Sequence, residues 1–173
     1  MIGALDRIET SRLRGHRISS EDLDDFKAYY ADPAVMRSLS PTGEPLTDEA
    51  AAELFAGHVA HWDVHGFGTW IFRDSEGRFV GRAGLRSVEL DAEPAVELFY
   101  GAASDLWGHG FATEMAREII SCALERLGLD SLVAFALPTN AASLNVLAKC
   151  GFEEVGELEH AGLTHGLFRL ERT

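Results

Sequence analysis

Residues 106–120 read LWGHGFATEMAREII, with Gly108-His109-Gly110 placed immediately before a helical pattern. A strand that passes through a glycine turn into a helix leaves the first backbone N–H groups of that helix unpaired and pointing outward. Together with the positive end of the helix dipole, those donors form a site for phosphate or another anion. Glycines suit such a turn because a Cβ would obstruct backbone approach or forbid the dihedrals. No Lys or Arg occurs between Tyr100 and Met115, so backbone amides would hold the anion, with His109 assisting. The run lacks the third glycine of a dinucleotide fingerprint and the Gly-Lys-Ser/Thr of a nucleotide triphosphate loop. On glycine mechanics alone, a tight turn without ligand remains the alternative.

Other residues could do proton chemistry. Glu97 lies in AVELFYGA (Ala95 to Ala102), where partial burial on a strand would raise its pKa and suit it to act as a base. A structural pair with Arg82 or Arg86 on an adjacent strand is the competing role. Asn140 is placed to cap a helix, and Ser143 sits one turn inside it. His58, His61 and His65 recur at helical spacing, but without a clear carboxylate partner they are expected to line a substrate side or titrate at the surface. No metal is expected.

The elements that must position these groups follow from periodicity. Leu13 to Ile18 predicts a short strand, and Ser19-Ser20-Glu21-Asp22 a capping box opening a helix with Leu23, Phe26 and Tyr30, which Asp32-Pro33 ends. Ser40 to Pro45 reads as a loop. Thr47-Asp48-Glu49 starts a second helix, closed by Gly66 and Gly68. TWIFRD and RFVGRAGLRSV then form a hairpin, Asp91 to Pro94 breaks the pattern, and AVELFYGA is the next strand. A helix with Met115, Ile119, Ile120, Leu124 and Leu127 on one side ends at Gly128. SLVAFALP reads as a strand buried on both faces, Asn140 to about Lys149 as a helix, and Phe152 to Glu159 and Gly162 to Leu170 as a final hairpin. This order predicts an α/β chain of mixed α+β character, with a mixed sheet covered by helices on both faces. Trp62, Phe67 and Trp70 are candidate core residues, one of which could wall an acceptor pocket.

Composition bounds the function. The chain of 173 residues reads as one domain, residues 1–173, and a chain of this length buries roughly 70% of its unfolded surface. Its start carries charges too early for a secretory leader, and no apolar run approaches a membrane span, so a cytoplasmic protein without membrane contact is expected. Cys122 and Cys150 read as reduced, mostly buried thiols. A net charge of −13 argues against a nucleic-acid partner and is compatible with a cationic one such as an amine.

VELFYGAASDLWGHGFATEM, followed a helix and a strand later by LPTNAASLNVLAKCGF, resembles the GNAT superfamily of acyl-CoA-dependent N-acyltransferases. The closest resemblance is to its branch of ribosomal-protein N-terminal acetyltransferase-like proteins, and it extends to the early Glu9-Thr10-x-Arg12-Leu13. The resemblance implies a largely antiparallel, splayed sheet and acetyl-CoA as co-substrate. It implies pantetheine contacts at Leu98, Phe99 and Tyr100, and a phosphate cradle of Leu106, Trp107, Gly108, His109, Gly110 and Phe111, with Ala112 and Thr113 just inside the helix. Asn140 and Ser143 would also meet the cofactor, with Glu97 and Ser143 as catalytic candidates. The acceptor would be a primary amine, on a small molecule or a protein N-terminus, and a homodimer is compatible with the resemblance. Asp105 stands where many members have Gln or Arg, and Leu147 where many have a tyrosine general acid. A CoA-binding or regulatory module without turnover is therefore the alternative. The acyl group and the acceptor stay open.

Overall fold

The computed structural model describes residues 5–173; residues 1–4, part of the start read against a secretory leader, lie outside them. Strands β1 (Arg7–Glu9), β2 (Arg14–Arg17), β3 (Thr69–Arg73), β4 (Phe79–Leu90), β5 (Glu93–Ala102), β6 (Ser131–Ala136), β7 (Glu153–His160) and β8 (Leu163–Glu171) build one sheet. Their order is β1-β2-β3-β4-β5-β6-β8-β7. Every neighbouring pair is antiparallel except β5 and β6, which run parallel and meet at the single register pair Glu97 and Val133. The sheet is mixed, largely antiparallel and splayed at that seam.

Helices α1 (Leu23–Ala31), α2 (Pro33–Leu39), α3 (Asp48–His65), α4 (Phe111–Ser121) and α5 (Ala141–Lys149) cover both faces. Alternation along β4 assigns them. Gly81 faces Met115 of α4, while the next residue, Arg82, donates its Nε to the Tyr30 hydroxyl of α1 at 3.0 Å. α3 joins α1 through the Phe26 and Phe55 rings, 5.3 Å apart. α5 joins α4, where Arg117 donates to the Lys149 carbonyl at 3.2 Å. Trp70, Ile71, Phe72, Leu85, Leu98, Met115, Ile119, Leu132 and Leu147, at most 2% exposed, fill the space between the layers. Trp62 joins this core as expected, its ring edge-on to Trp70 at 4.7 Å and its N–H donated to the Thr69 carbonyl.

Local chemistry explains the boundaries. The Thr47 hydroxyl accepts the Ala50 N–H at 3.2 Å to open α3, and the Gly66 N–H returns to the Trp62 carbonyl at 2.9 Å to close it. Asp32-Pro33 ends α1 but also begins α2: the Asp32 carboxylate accepts the Ala34 N–H at 2.8 Å, and proline is well suited to a first helical position. That helix is absent from the sequence reading, as is β1, whose three residues are too few for a period. The predicted break at Asp91 to Pro94 is a correction. Asp91 and Ala92, at φ 51° and 66°, form a two-residue turn, and β5 starts at Glu93. Pro94 is accommodated because β5 has no β6 partner there. After Ser121 the helix widens into a π turn, Cys122–Arg126. Cys122 is buried and Cys150 half-buried, both as free thiols. No helix among the described residues is long and apolar enough to cross a membrane.

Candidate functional site

β5 feeds through a 3-10 turn, Ser104–Leu106, into the glycine loop. Gly108 and Gly110 have φ of 81° and 79°, and Gly110 is the N-cap of α4. A Cβ at Gly108 would meet nothing within 4 Å, so the dihedral and not crowding demands glycine there. The first intrahelical backbone bond beside the loop runs from Glu114 N–H to the Gly110 carbonyl. The N–H groups of Phe111, Ala112 and Thr113 therefore lack an intrahelical acceptor. His109 Nδ1 lies 3.0 Å from the Leu106 carbonyl and 3.1 Å from that of Trp107, which leaves Nε2 for a ligand. The half-exposed Trp107 is anchored by its N–H on the Ala102 carbonyl.

The expectation that backbone amides act without a nearby basic residue is corrected by tertiary structure. Arg12, from the β1–β2 connection, donates Nη1 to the His109 carbonyl at 2.9 Å and Nε to Glu114 at 2.6 Å. Its guanidinium sits 4.3 Å over the Phe111 ring. Glu114 also accepts from the Thr10 hydroxyl and the Arg12 N–H. Burial pushes the Glu114 carboxyl up, but hydrogen bonds from Thr10 and Arg12 outweigh it and hold the group below its usual range. The early Thr10-x-Arg12-Leu13 segment is thus a clamp on the glycine loop.

Beside the cradle, β5 parts from β6 after Glu97, so Leu98, Phe99 and Tyr100 line an opened seam. Alternation sends Leu98 and Tyr100 toward the α4 and α5 side, and Glu97 and Phe99 toward the α1 and α3 side. The Tyr100 hydroxyl lies 3.0 Å from the Ser143 hydroxyl and 3.2 Å from the Ser143 carbonyl. Asn140 caps α5 as expected, its side-chain oxygen accepting the Ser143 N–H at 3.1 Å. Burial pushes the Tyr100 phenol up to about 12, so it stays protonated at neutral pH. Leu147 is a core residue at 1% exposure.

Glu97, 6% exposed, takes Arg86 as its partner rather than Arg82. Arg86 Nε and Nη2 both reach Oε2, at 2.8 and 2.5 Å, which leaves Oε1 without a protein partner among the described residues. Burial raises its pKa and outweighs the opposing pull of Arg86 and Arg82. The structure thus brings Ser143 to Tyr100 and Glu97 to Arg86, on opposite sides of the seam.

On the Glu97 side a cleft of about 560 Å³ opens between α3 and the sheet, lined by residues including Leu54, Gly57, His58, His61 and Phe99. His58 Nδ1 contacts the Thr69 hydroxyl at 2.5 Å, and burial, assisted by Arg82 and Arg86, lowers its pKa to about 3. His61 has both nitrogens in use: Nδ1 donates to the Phe67 carbonyl at 2.8 Å and Nε2 accepts the Ser87 N–H at 3.1 Å. That tautomer is neutral, in keeping with a pKa lowered by burial. The His65 ring lies tilted against that of His61, 4.3 Å away. Among the described residues no group of three His, Cys, Asp or Glu side chains is placed to hold a metal.

The sequence reading missed the Arg12 clamp, for which the Glu9-to-Leu13 segment held a signal, and the Tyr100 hydroxyl. Of the three α3 histidines expected to line a substrate side or titrate at the surface, His58 and His61 line this cleft.

Solved structures share the whole architecture. An acetyltransferase from Agrobacterium tumefaciens superimposes with a TM-score of 0.83 at 22% identity, covering 99% of this chain and 98% of that one. Mycobacterium smegmatis RimJ, solved with CoA-disulfide, gives 0.79 at 20% identity, covering 97% and 88%. Ribosomal-protein-S5-alanine acetyltransferase from Vibrio fischeri gives 0.75 at 19% identity, covering 95% and 96%. Residues 12–153 match the family model of the acetyltransferase (GNAT) domain. A match over that span, joined to a fold likeness running almost end to end, carries one conclusion: the chain belongs to the GNAT acetyltransferase family.

Proposed function

We propose that this protein transfers an acetyl group from acetyl-CoA to a primary amine, by direct attack of the amine on the thioester. The observation that carries the reading is the junction of two features: a glycine loop with unpaired N–H groups, and a seam where β5 and β6 share one register pair. Coenzyme A fits them. Backbone donors of Gly108 to Thr113 suit its phosphates, and the free edge along Leu98, Phe99 and Tyr100 suits its pantetheine arm. Bound there as its acetyl thioester, it would supply an activated acyl group. Glu97 takes the proton of the incoming ammonium through its free Oε1, directly or through a water, and its raised pKa brings it closer to the working range of a base. The Ser143 hydroxyl, hydrogen-bonded to the Tyr100 phenol, offers a donor for the departing sulfur.

The acceptor is a small-molecule amine or a protein N-terminus, and the whole chain acts as one domain in the cytoplasm, alone or as a homodimer. Release of free CoA thiol from acetyl-CoA in the presence of a panel of amines tests the reading. Core burial of Leu147 favours a second one, a CoA-binding module without turnover. Saturable CoA binding with no thiol release across the panel would establish that second reading instead.

A further inference from the structure

The cleft beside Glu97 carries more information about the acceptor than the net charge of the chain does. Its α3 wall is one helical stripe, Ala50, Glu53, Leu54, Gly57, His58 and His61, facing Phe99 of the sheet. Of its titratable groups, His61 is pinned in its neutral tautomer and His58, with its pKa near 3, is also uncharged at neutral pH. Glu53 is the one carboxylate in the lining, and Arg86, committed to Glu97, is the one permanent cation. Arg82 lies behind Phe99, its guanidinium 5.0 Å from that ring. Although the chain carries a net charge of −13, its acidity is not gathered here.

An acceptor with several ammonium groups would leave charges desolvated against leucine and phenylalanine, with two guanidiniums nearby. An acceptor with one amine and an apolar body would bury the body and present only the reacting nitrogen. Glu97, paired with Arg86, is there to take that nitrogen's proton, and Glu53 alone is left to balance a second ammonium. We infer that the acceptor is a primary monoamine on an apolar or aromatic body, and not a polyamine or an aminoglycoside. Calling this ligand the acceptor rests on the acetyl-transfer reading.

The test is calorimetric titration of the CoA-loaded protein with phenethylamine and with spermidine. Phenethylamine is expected to bind at least about tenfold tighter, as burial of one ring allows. Two variants locate the site. Gly57 lines the cleft and has nothing within 4 Å of an added Cβ, so a side chain can start there freely; Gly57→Leu is expected to extend into the cleft, and replacing a helical glycine favours folding. It should weaken phenethylamine about tenfold or more, while CoA affinity reports an intact cradle. Leu54→Glu, at a position 36% exposed, should shift preference toward spermidine. Spermidine binding as tightly as phenethylamine, or phenethylamine affinity unmoved by both substitutions, overturns the inference. Thiol release is read separately: cleft binding without turnover of any amine would overturn acetyl transfer and leave the ligand class standing.

Discussion

At the scale of single residues, Glu97 is a carboxylate with divided commitments. One oxygen is held by Arg86 and the other has no protein partner among the described residues. Glu97→Gln should lower kcat by about 100-fold or more while leaving CoA affinity intact, as removal of a general base does. Single-turnover thiol release with parallel calorimetry would check both parts. The pH dependence has a definite sign. Burial raises the Glu97 pKa, so the base is lost on acidification at a pH above the usual carboxylate range. Arg86 pulls that value down, so Arg86→Ala should move the acid limb of kcat/KM to higher pH. A limb that stays in place would remove Glu97 from the role of base. Residue types at this scale were readable wherever the physics is local: Gly108 and Gly110 from their dihedral demand, Asn140 from its cap. The choice of Arg86 over Arg82 was not, because it depends on the β4–β5 register and on Tyr30 engaging Arg82.

At the scale of elements, two polar ties hold the scaffold. Arg12 joins the β1–β2 connection to the glycine loop and to the first turn of α4. Arg12→Ala should raise the Kd for CoA about tenfold, the value of one or two charge-assisted hydrogen bonds, as titration would record. Arg12→Lys should rescue little, since a single ammonium cannot bridge the His109 carbonyl and Glu114 together. The second tie is Asp22, 1% exposed at the head of α1. It accepts from His16 Nε2 and Arg73 Nη2, both at 2.9 Å, and from the Ser19 N–H. Burial pushes its carboxyl up, but these hydrogen bonds prevail and hold it low. The stability it contributes is therefore present above the unfolded value, ~3.9, and is lost as pH falls through the lower folded value. Asp22→Asn should cost about 2–3 kcal/mol in denaturant titrations at neutral pH, with a smaller difference in strong acid. The capping box that seeds α1 was visible in sequence, whereas its partners on β2 and β3 were not, since only folding brings them near. α2 escaped because Asp-Pro serves as a stop and a start at once.

At the scale of the molecule, the acetyl-transfer reading requires a protein of charge −13 to receive a polyanion. Raising ionic strength from about 0.01 M to 0.15 M shortens the Debye length from about 30 Å to about 8 Å, which screens that repulsion. CoA should therefore bind more tightly over this range, and weaker binding would mean that the local field of Arg12 and the α4 terminus outweighs the net charge. Mixed architecture was legible from the alternation of strand and helix periods, but strand order was not, because pairing across long separations leaves no mark in a local pattern. The parallel seam is the feature with the widest reach. Strands β1 to β5 form one antiparallel leaf and β6 to β8 another, stitched at Glu97 and Val133. On the acetyl-transfer reading, a pantetheine chain lying in that seam is a missing rung as much as part of a substrate. On that reading the protein's resistance to unfolding becomes a gauge of how much CoA surrounds it.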